Sequence, residues 1–313
     1  MQLSYRSSLL KKSFKLLPVF ILIYIIYDLT KNDKLSFSVD FLLDQELTIE
    51  RLAILLTVVL LMYLNWFMEA RKWQLLTKDY YYLNFKSAFK AVLSGITTAL
   101  FTPNRVGDFI GKVSHLPQEH RKKGMISSFF GSYSQWLLTI IMGWIAWIQL
   151  GRQIINADLF YSLISLVYFI MIVGLLILFL RKGPSIKAFK RFKKFFKHPP
   201  SVNSRLRLIG LSFLRYFIFT SQFYLLLHFF GVDLNYGLVL SKLGLFYLIS
   251  SLIPSTFWGE LGIKESLAVW VFSGIVINSL LIITTTLLLW FINLFVPAIF
   301  GNYFLYKKTK VYS

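Results

Sequence analysis

The sequence predicts an all-α integral membrane protein with about six transmembrane helices and two re-entrant helical hairpins in an inverted-repeat arrangement. Three observations predict it. The chain of 313 residues is 56% hydrophobic and only 15% charged, where a soluble domain carries about 25% charged residues. The excess of 34 Lys and Arg over 14 Asp and Glu is gathered into alternate connecting segments. Two further apolar stretches are each broken near the middle by Pro and Gly beside ionisable residues.

A spanning helix needs about 20 mostly apolar residues. The first such run, 14–30, follows a basic arm (Arg6, Lys11, Lys12, Lys15) and holds Pro18. No small-residue cleavage site follows it, so it reads as a retained helix that also targets the chain. Further spans are expected at 51–70, 125–149, 158–180, 206–230 and 279–304.

The stretches 85–113 and 236–277 break the pattern. The first is interrupted at Thr102-Pro103-Asn104-Arg105-Val106-Gly107-Asp108, the second from Pro254 to Gly262. Such breaks free backbone groups that lipid cannot satisfy, and are tolerated only inside protein or beside a water-filled cavity. Both stretches therefore read as re-entrant hairpins, although hydropathy alone does not separate re-entry from spanning twice.

Basic residues orient the chain, because cytoplasmic loops carry the excess of Lys and Arg. Segment 71–124 has ten basic residues against three acids, and 181–207 has ten and no acid, whereas loop 30–50 carries five acids and two lysines. With the basic segments inside, both termini are cytoplasmic and the two hairpins enter from opposite faces. The hairpins also match in sequence: Pro103-x3-Gly107-Asp108-x3-Lys112 against Pro254-x4-Gly259-Glu260-x3-Lys264, with the prolines 151 residues apart. Interrupted helices in matching positions of inverted repeats point to a transporter's binding site. A single membrane domain, 1–313, is expected, with repeat halves 1–124 and 205–313 joined by helices 125–180 and a basic cytoplasmic loop 181–205.

Net charge of +20 does not point to nucleic acid once it is seen to lie in loops. The run from Lys187 to Lys197 interleaves Phe with basic residues. It reads as an amphipathic segment on an anionic inner leaflet, or as an ordinary positive-inside loop, within the basic stretch 181–207. The absence of Cys excludes disulfides and thiol chemistry, and the four His show no metal-ligand spacing, so neither metal nor cofactor is expected. No phosphate-binding Gly-rich loop or nucleophile elbow appears, and the longest loop is too short for a soluble catalytic domain.

Charges at membrane depth are costly and mark candidate sites. Arg105 and Asp108 at one break, and Glu260, Lys264 and Glu265 at the other, form the sharpest constellation. Arg forks fit phosphate bidentately and Lys adds a point charge, so a lipid phosphate is the expected ligand, against the plainer reading of a structural turn network. Arg215, ten residues into its helix, calls for a carboxylate or phosphate partner. Secondary candidates are Glu69 and Trp73, which share a face and read equally as an interface anchor, together with Asn104 and Lys242, the last placed near outer headgroups.

These motifs resemble a known family. Thr102 to Asp108 is similar to the Thr-Pro-Gly-Arg-x-Gly-Glu/Asp element of the lysylphosphatidylglycerol synthase transmembrane-region family, also called flippase-like or UPF0104. Leu261-Gly262-Ile263-Lys264-Glu265-Ser266 resembles its Leu-Gly-Val-Arg-Glu-Ala/Gly element, and Glu69 to Trp73 its Glu-x-x-Arg/Lys-Trp stretch. Asn104 stands for a Gly, Glu260 stands where the family often has Gly, and one residue is inserted after Pro254. Full-length synthases carry a soluble aminoacyl-transferase domain that this chain, ending at Ser313, does not show. The resemblance therefore implies the lipid-translocating membrane part in the bacterial cytoplasmic membrane: a flippase that binds a phosphate-bearing headgroup between the hairpin tips, and no enzyme. The alternatives are an accessory subunit for polyisoprenyl-phosphate or glycan-lipid biosynthesis, partnered with a glycosyltransferase or lipid-synthesis enzyme, and an intramembrane transferase.

Overall fold

The computed structural model describes residues 48–102, 105–154, 158–180, 200–253, 257–276 and 278–312. Every regular element among them is helical. In chain order these are α1 (Ile49–Thr77), α2 (Phe85–Leu100), α3 (Gly107–Ser114), a 3₁₀ turn (Gln118–His120), α4 (Arg121–Ile154), α5 (Asp158–Leu180), α6 (Val202–Phe229), α7 (Tyr236–Leu252), α8 (Phe257–Phe272), α9 (Ser279–Trp290), a π turn (Phe291–Phe295) and α10 (Val296–Tyr312). Local chemistry starts several of them. Side-chain oxygens of Thr48, Asn84, Ser201, Asn235 and Asn278 accept hydrogen bonds from first-turn amides of α1, α2, α6, α7 and α9, satisfying donors that have no partner inside the helix.

Among the described residues four helices are long and apolar enough to cross a membrane: α1, α5, α6 and the continuous rod of α9, π turn and α10 as far as Tyr306. The chain is thus a multi-pass membrane protein. On α5, Leu163, Leu166, Val167 and Ile170 are exposed, as side chains facing lipid must be. The span expected at 125–149 lies within α4, which is long enough, at 34 residues, but less apolar than those four. The reason is its inward face, where Ser127, Ser128 and Ser134 are buried against other helices, α4 packing on α1, α3, α5, α6 and α7. The expected first span, 14–30, lies outside the described residues.

Segment 181–207 is also divided. Residues 181–199 lie outside the described set, whereas Arg205 and Arg207 belong to α6, which begins at Val202 rather than near 206. Arg205 is buried, and its Nη1 donates to the Phe179 carbonyl at 2.7 Å, capping the end of α5.

Both broken stretches form pairs of short helices. At 16 and 8 residues for α2 and α3, and 17 and 16 for α7 and α8, each is shorter than the roughly 20 residues a bilayer core requires. Helices α2 and α3 run antiparallel with their backbones in contact. Thr98 Oγ1 donates to the Gly107 carbonyl at 2.6 Å, and the Gly107 amide donates to Thr102 Oγ1 at 2.7 Å. A Cβ at Gly107 or Gly111 would collide with the α2 backbone at Thr98 or Ser94. Helix α10 crosses the other side of α2, where Thr97 Oγ1 donates to the Ala298 carbonyl at 2.7 Å and Gly301 lies on the Leu93 backbone.

The apolar interior has two main parts. One joins Trp73, Val92, Ile96 and Leu208, and the other Phe223, Leu226, Leu243, Phe272 and Ile282. Along α6, Arg215 falls between them, at the fourteenth of 28 residues. A Gly111→Ala substitution is expected to wedge α3 away from α2 and to cost about 1–3 kcal/mol by overpacking. A lowered thermal midpoint of the purified chain in detergent is the readout, and an unchanged midpoint would show that the two helices do not meet as described.

Candidate functional site

The site grows from one carboxylate. Glu69 lies eight residues before the end of α1, with its side chain 11% exposed. It is met by cations from three helices: Lys72 on α1 at 3.5 Å, Lys112 on α3 at 2.7 Å, and Arg215 on α6. Lys112 also contacts Asp108, one turn earlier on α3, at 2.7 Å. Lys72 Nζ donates to the Gly131 carbonyl of α4 at 3.0 Å, so the network touches four helices. Ionised groups this far from water persist only with close opposite charges and satisfied hydrogen bonds.

Arg215 is held on three sides. Its Nη1 donates to Glu69, its Nε to Asn65 Oδ1 at 2.9 Å, and its guanidinium lies over the Trp66 ring, 5.4 Å from the centroid. Trp66 is positioned by the π turn. Its indole N–H donates to the Asn293 carbonyl at 3.0 Å, and a π turn is where the helical ladder leaves such a carbonyl available.

Arg105 sits two residues before α3 with φ of +56°, the only non-glycine residue with positive φ among those described. That left-handed conformation costs an arginine roughly 1–3 kcal/mol. It is held by the Thr102 carbonyl, which accepts from the Arg105 amide at 3.3 Å, while the Thr102 hydroxyl takes the Gly107 amide. The Arg105 side chain is half-buried, and its guanidinium contacts no carboxylate among the described residues.

Two adjoining cavities meet at these arginines. One, about 370 Å³, is lined by Glu69, Lys72, Asp108 and Lys112 among others. The second, about 340 Å³, is lined by Asn65, Lys264, Glu265, Asn293 and a set of aromatic side chains including Phe219, Phe246 and Tyr247. Trp66, Arg105, Gln135, Thr139 and Arg215 line both. The Oδ1 of Asn293 and the hydroxyl of Tyr216, both from residues lining the second cavity, are buried without a hydrogen-bond partner among the described residues.

Of the expected residues, Arg105, Asp108, Lys264, Glu265, Arg215 and Glu69 are all brought to these cavities. Arg215 has the carboxylate its depth called for, supplied by Glu69. Glu260 belongs to α8, but its side chain lies outside the described residues, as does Asn104 altogether. Trp73 is at neither cavity. It is 1% exposed within the apolar core, because the face it shares with Glu69 turns inward at this level and not toward headgroups. Lys242 lines neither cavity. Lys72, Lys112, Asn65, Trp66, Gln135 and Asn293 were not expected at the site. Lys72 stands three residues after Glu69 and Lys112 four after Asp108, spacings that place each pair on one helix face. Nothing local marks Gln135 or Asn293. Among the described residues no group of His, Asp or Glu side chains could hold a metal ion.

The family model for the lysylphosphatidylglycerol synthase TM region matches residues 43–301. The chain belongs to this family. The matched region takes in both helix pairs and every residue of the charged network, and it is the membrane part that the motifs at Arg105 and Lys264 implied. A search of curated proteins returns no match.

Glu69→Gln is expected to strip the counter-charge from buried Lys72 and Lys112 and from partly buried Arg215. Removing one partner of a buried pair typically costs about 3–5 kcal/mol. Adding Arg215→Gln should restore part of that loss, giving a coupling of at least about 1 kcal/mol in a double-mutant cycle of thermal or denaturant unfolding. Strictly additive single effects would contradict the pairing.

Proposed function

We propose that the chain is a lipid flippase that binds the phosphate of an anionic lipid where the two cavities meet and moves its headgroup across the bilayer. The observation that carries this reading is the pair Arg105 and Arg215, inside a multi-pass membrane protein, lining two joined cavities. One of these guanidiniums has no carboxylate among the described residues. An unpaired cation at membrane depth is expensive, and a lipid phosphate is the abundant anion that can reach it.

In this reading the short helix pairs α2–α3 and α7–α8 are re-entrant hairpins that dip from opposite faces, as inverted repeats within halves 1–124 and 205–313. Six spans complete the topology, with both termini on the cytoplasmic side of a bacterial inner membrane. The Arg105 fork and Lys264 hold phosphate oxygens. Asp108, Glu69 and Glu265 balance the cations between turnovers, and Glu260 stands near the second tip. The aromatic cavity accommodates the apolar part of the lipid next to the phosphate. Apart from the buried Arg205, the basic residues of segment 181–207 hold the anionic inner leaflet nearby. No bond of the substrate is made or broken, so the chain acts without catalysis or cofactor.

Headgroup movement of a fluorescent anionic phospholipid in proteoliposomes tests this. Arg105→Asn, which keeps a residue tolerant of left-handed backbone, and Lys264→Gln should each slow movement by about tenfold or more, the effect of losing a charge-assisted hydrogen bond. Wild-type rates in both variants would remove these residues from the pathway.

A further inference from the structure

We infer that the site selects a lipid ending in a phosphate monoester over one whose phosphate is a diester. The inference rests on the anion-binding reading above and narrows it to a substrate class.

Charge is the first ground. The charged side chains lining the first cavity are Lys72, Arg105, Lys112 and Arg215 against Glu69 and Asp108, a net charge of +2. Both carboxylates are already engaged: Glu69 with three of the cations, Asp108 with Lys112. The neighbouring cavity adds one cation, Lys264, and one carboxylate, Glu265, which leaves the balance among the described residues at +2. A phosphodiester brings one negative charge and leaves the site at +1. A terminal phosphate monoester, with about −1.5 to −2 near neutral pH, brings it close to neutrality, and residual charge is costly in a low-dielectric interior.

Donor geometry is the second ground. Arg215 commits Nε to Asn65 and Nη1 to Glu69, which leaves Nη2 without a partner among the described residues. Arg105 brings a whole guanidinium fork to the same two cavities. A monoester offers three unesterified oxygens, so the Arg105 fork can hold two of them and Arg215 Nη2 the third; a diester offers a single pair, which the Arg105 fork alone takes up.

Shape is the third. A monoester phosphate is the end of its molecule and can enter the charged cavity with no headgroup ahead of it. The chain that carries it then meets the apolar side chains of the second cavity, Phe219, Phe223, Phe246, Leu289 and Leu294.

The same phosphate chemistry could come from free inorganic phosphate, so the experiment carries that arm as well. The purified full chain in detergent is titrated at about pH 8, where the monoester is fully ionised. The titrants are dioleoyl phosphatidic acid, dioleoyl phosphatidylglycerol and inorganic phosphate, and thermal stabilisation is read for the wild type and for Arg105→Asn. Phosphatidic acid is expected to half-saturate at about a tenfold lower concentration than phosphatidylglycerol, a difference that Arg105→Asn should reduce to about threefold or less. Equal half-saturation by the two lipids, both weakened by Arg105→Asn, would overturn the monoester preference and leave the anion site standing. Stabilisation by either lipid that ignores Arg105→Asn would overturn both. Inorganic phosphate acting at the same concentration as phosphatidic acid would assign the site to a free anion and overturn the lipid.

Discussion

Glu69 holds the molecule's interior together, because it is the shared counter-charge of Lys72, Lys112 and Arg215. These cations stand on α1, α3 and α6, so a single carboxylate binds three helices whose order in sequence does not make them neighbours. Neutralising it would leave three cations of which, among the described residues, only Lys112 keeps a carboxylate contact, with Asp108. The position of α3 follows from this constraint. Lys112 must reach across to α1, so the chain has to turn back soon after α2 ends at Leu100 and resume as a helix at Gly107. That turn is where Arg105 is forced into left-handed backbone, and the strain places its guanidinium at the junction of the cavities.

Close packing makes the geometry attainable. Side-chain-free faces at Gly107 and Gly111 bring α3 onto the α2 backbone, and the hydroxyls of Thr98 and Thr102 take over polar groups that the broken ladder leaves open. On the opposite wall the π turn offers the Asn293 carbonyl to Trp66, and Trp66 in turn lies against the Arg215 guanidinium. Two departures from regular helix, the break after α2 and the π turn after α9, thus fix the two arginines from opposite sides. Irregular backbone at membrane depth is tolerated only where it is buried in protein or lines a water-filled cavity, and Arg105 and Asn293, one from each departure, line the cavities.

Much of the fold was legible in the sequence, because apolar run length and Pro/Gly breaks act locally. Both helix pairs and the spans of α1, α5, α6 and α9–α10 follow from such signals. The inward polar face of α4 was visible as its serines, but their direction depends on neighbours that hydropathy ignores. Arg215 was recognised as needing a counter-charge. Its partner Glu69, 146 residues away, was not, since spacing rules reach only along one helix. Glu69 read equally as an interface anchor for the same reason, and Trp73 was grouped with it although packing turns the indole into the core. The pairs Glu69–Lys72 and Asp108–Lys112 were written in i,i+3 and i,i+4 spacing. Gln135 and Asn293 carry no local sign, because only tertiary packing brings them to the cavities.

The most direct test of an anion site buried in the membrane uses the absence of native cysteine. Thr139 lines both cavities, so a Thr139→Cys variant carries a single reporter at their junction. Reaction with a small, charged, water-soluble thiol reagent should proceed in liposomes of neutral lipid and slow by about tenfold or more when an anionic phospholipid is included, as an occupant held with an affinity gain of that size would require. Labelling at the same rate with and without the anionic lipid, or no labelling at all, would contradict a lipid phosphate bound between Arg105 and Arg215.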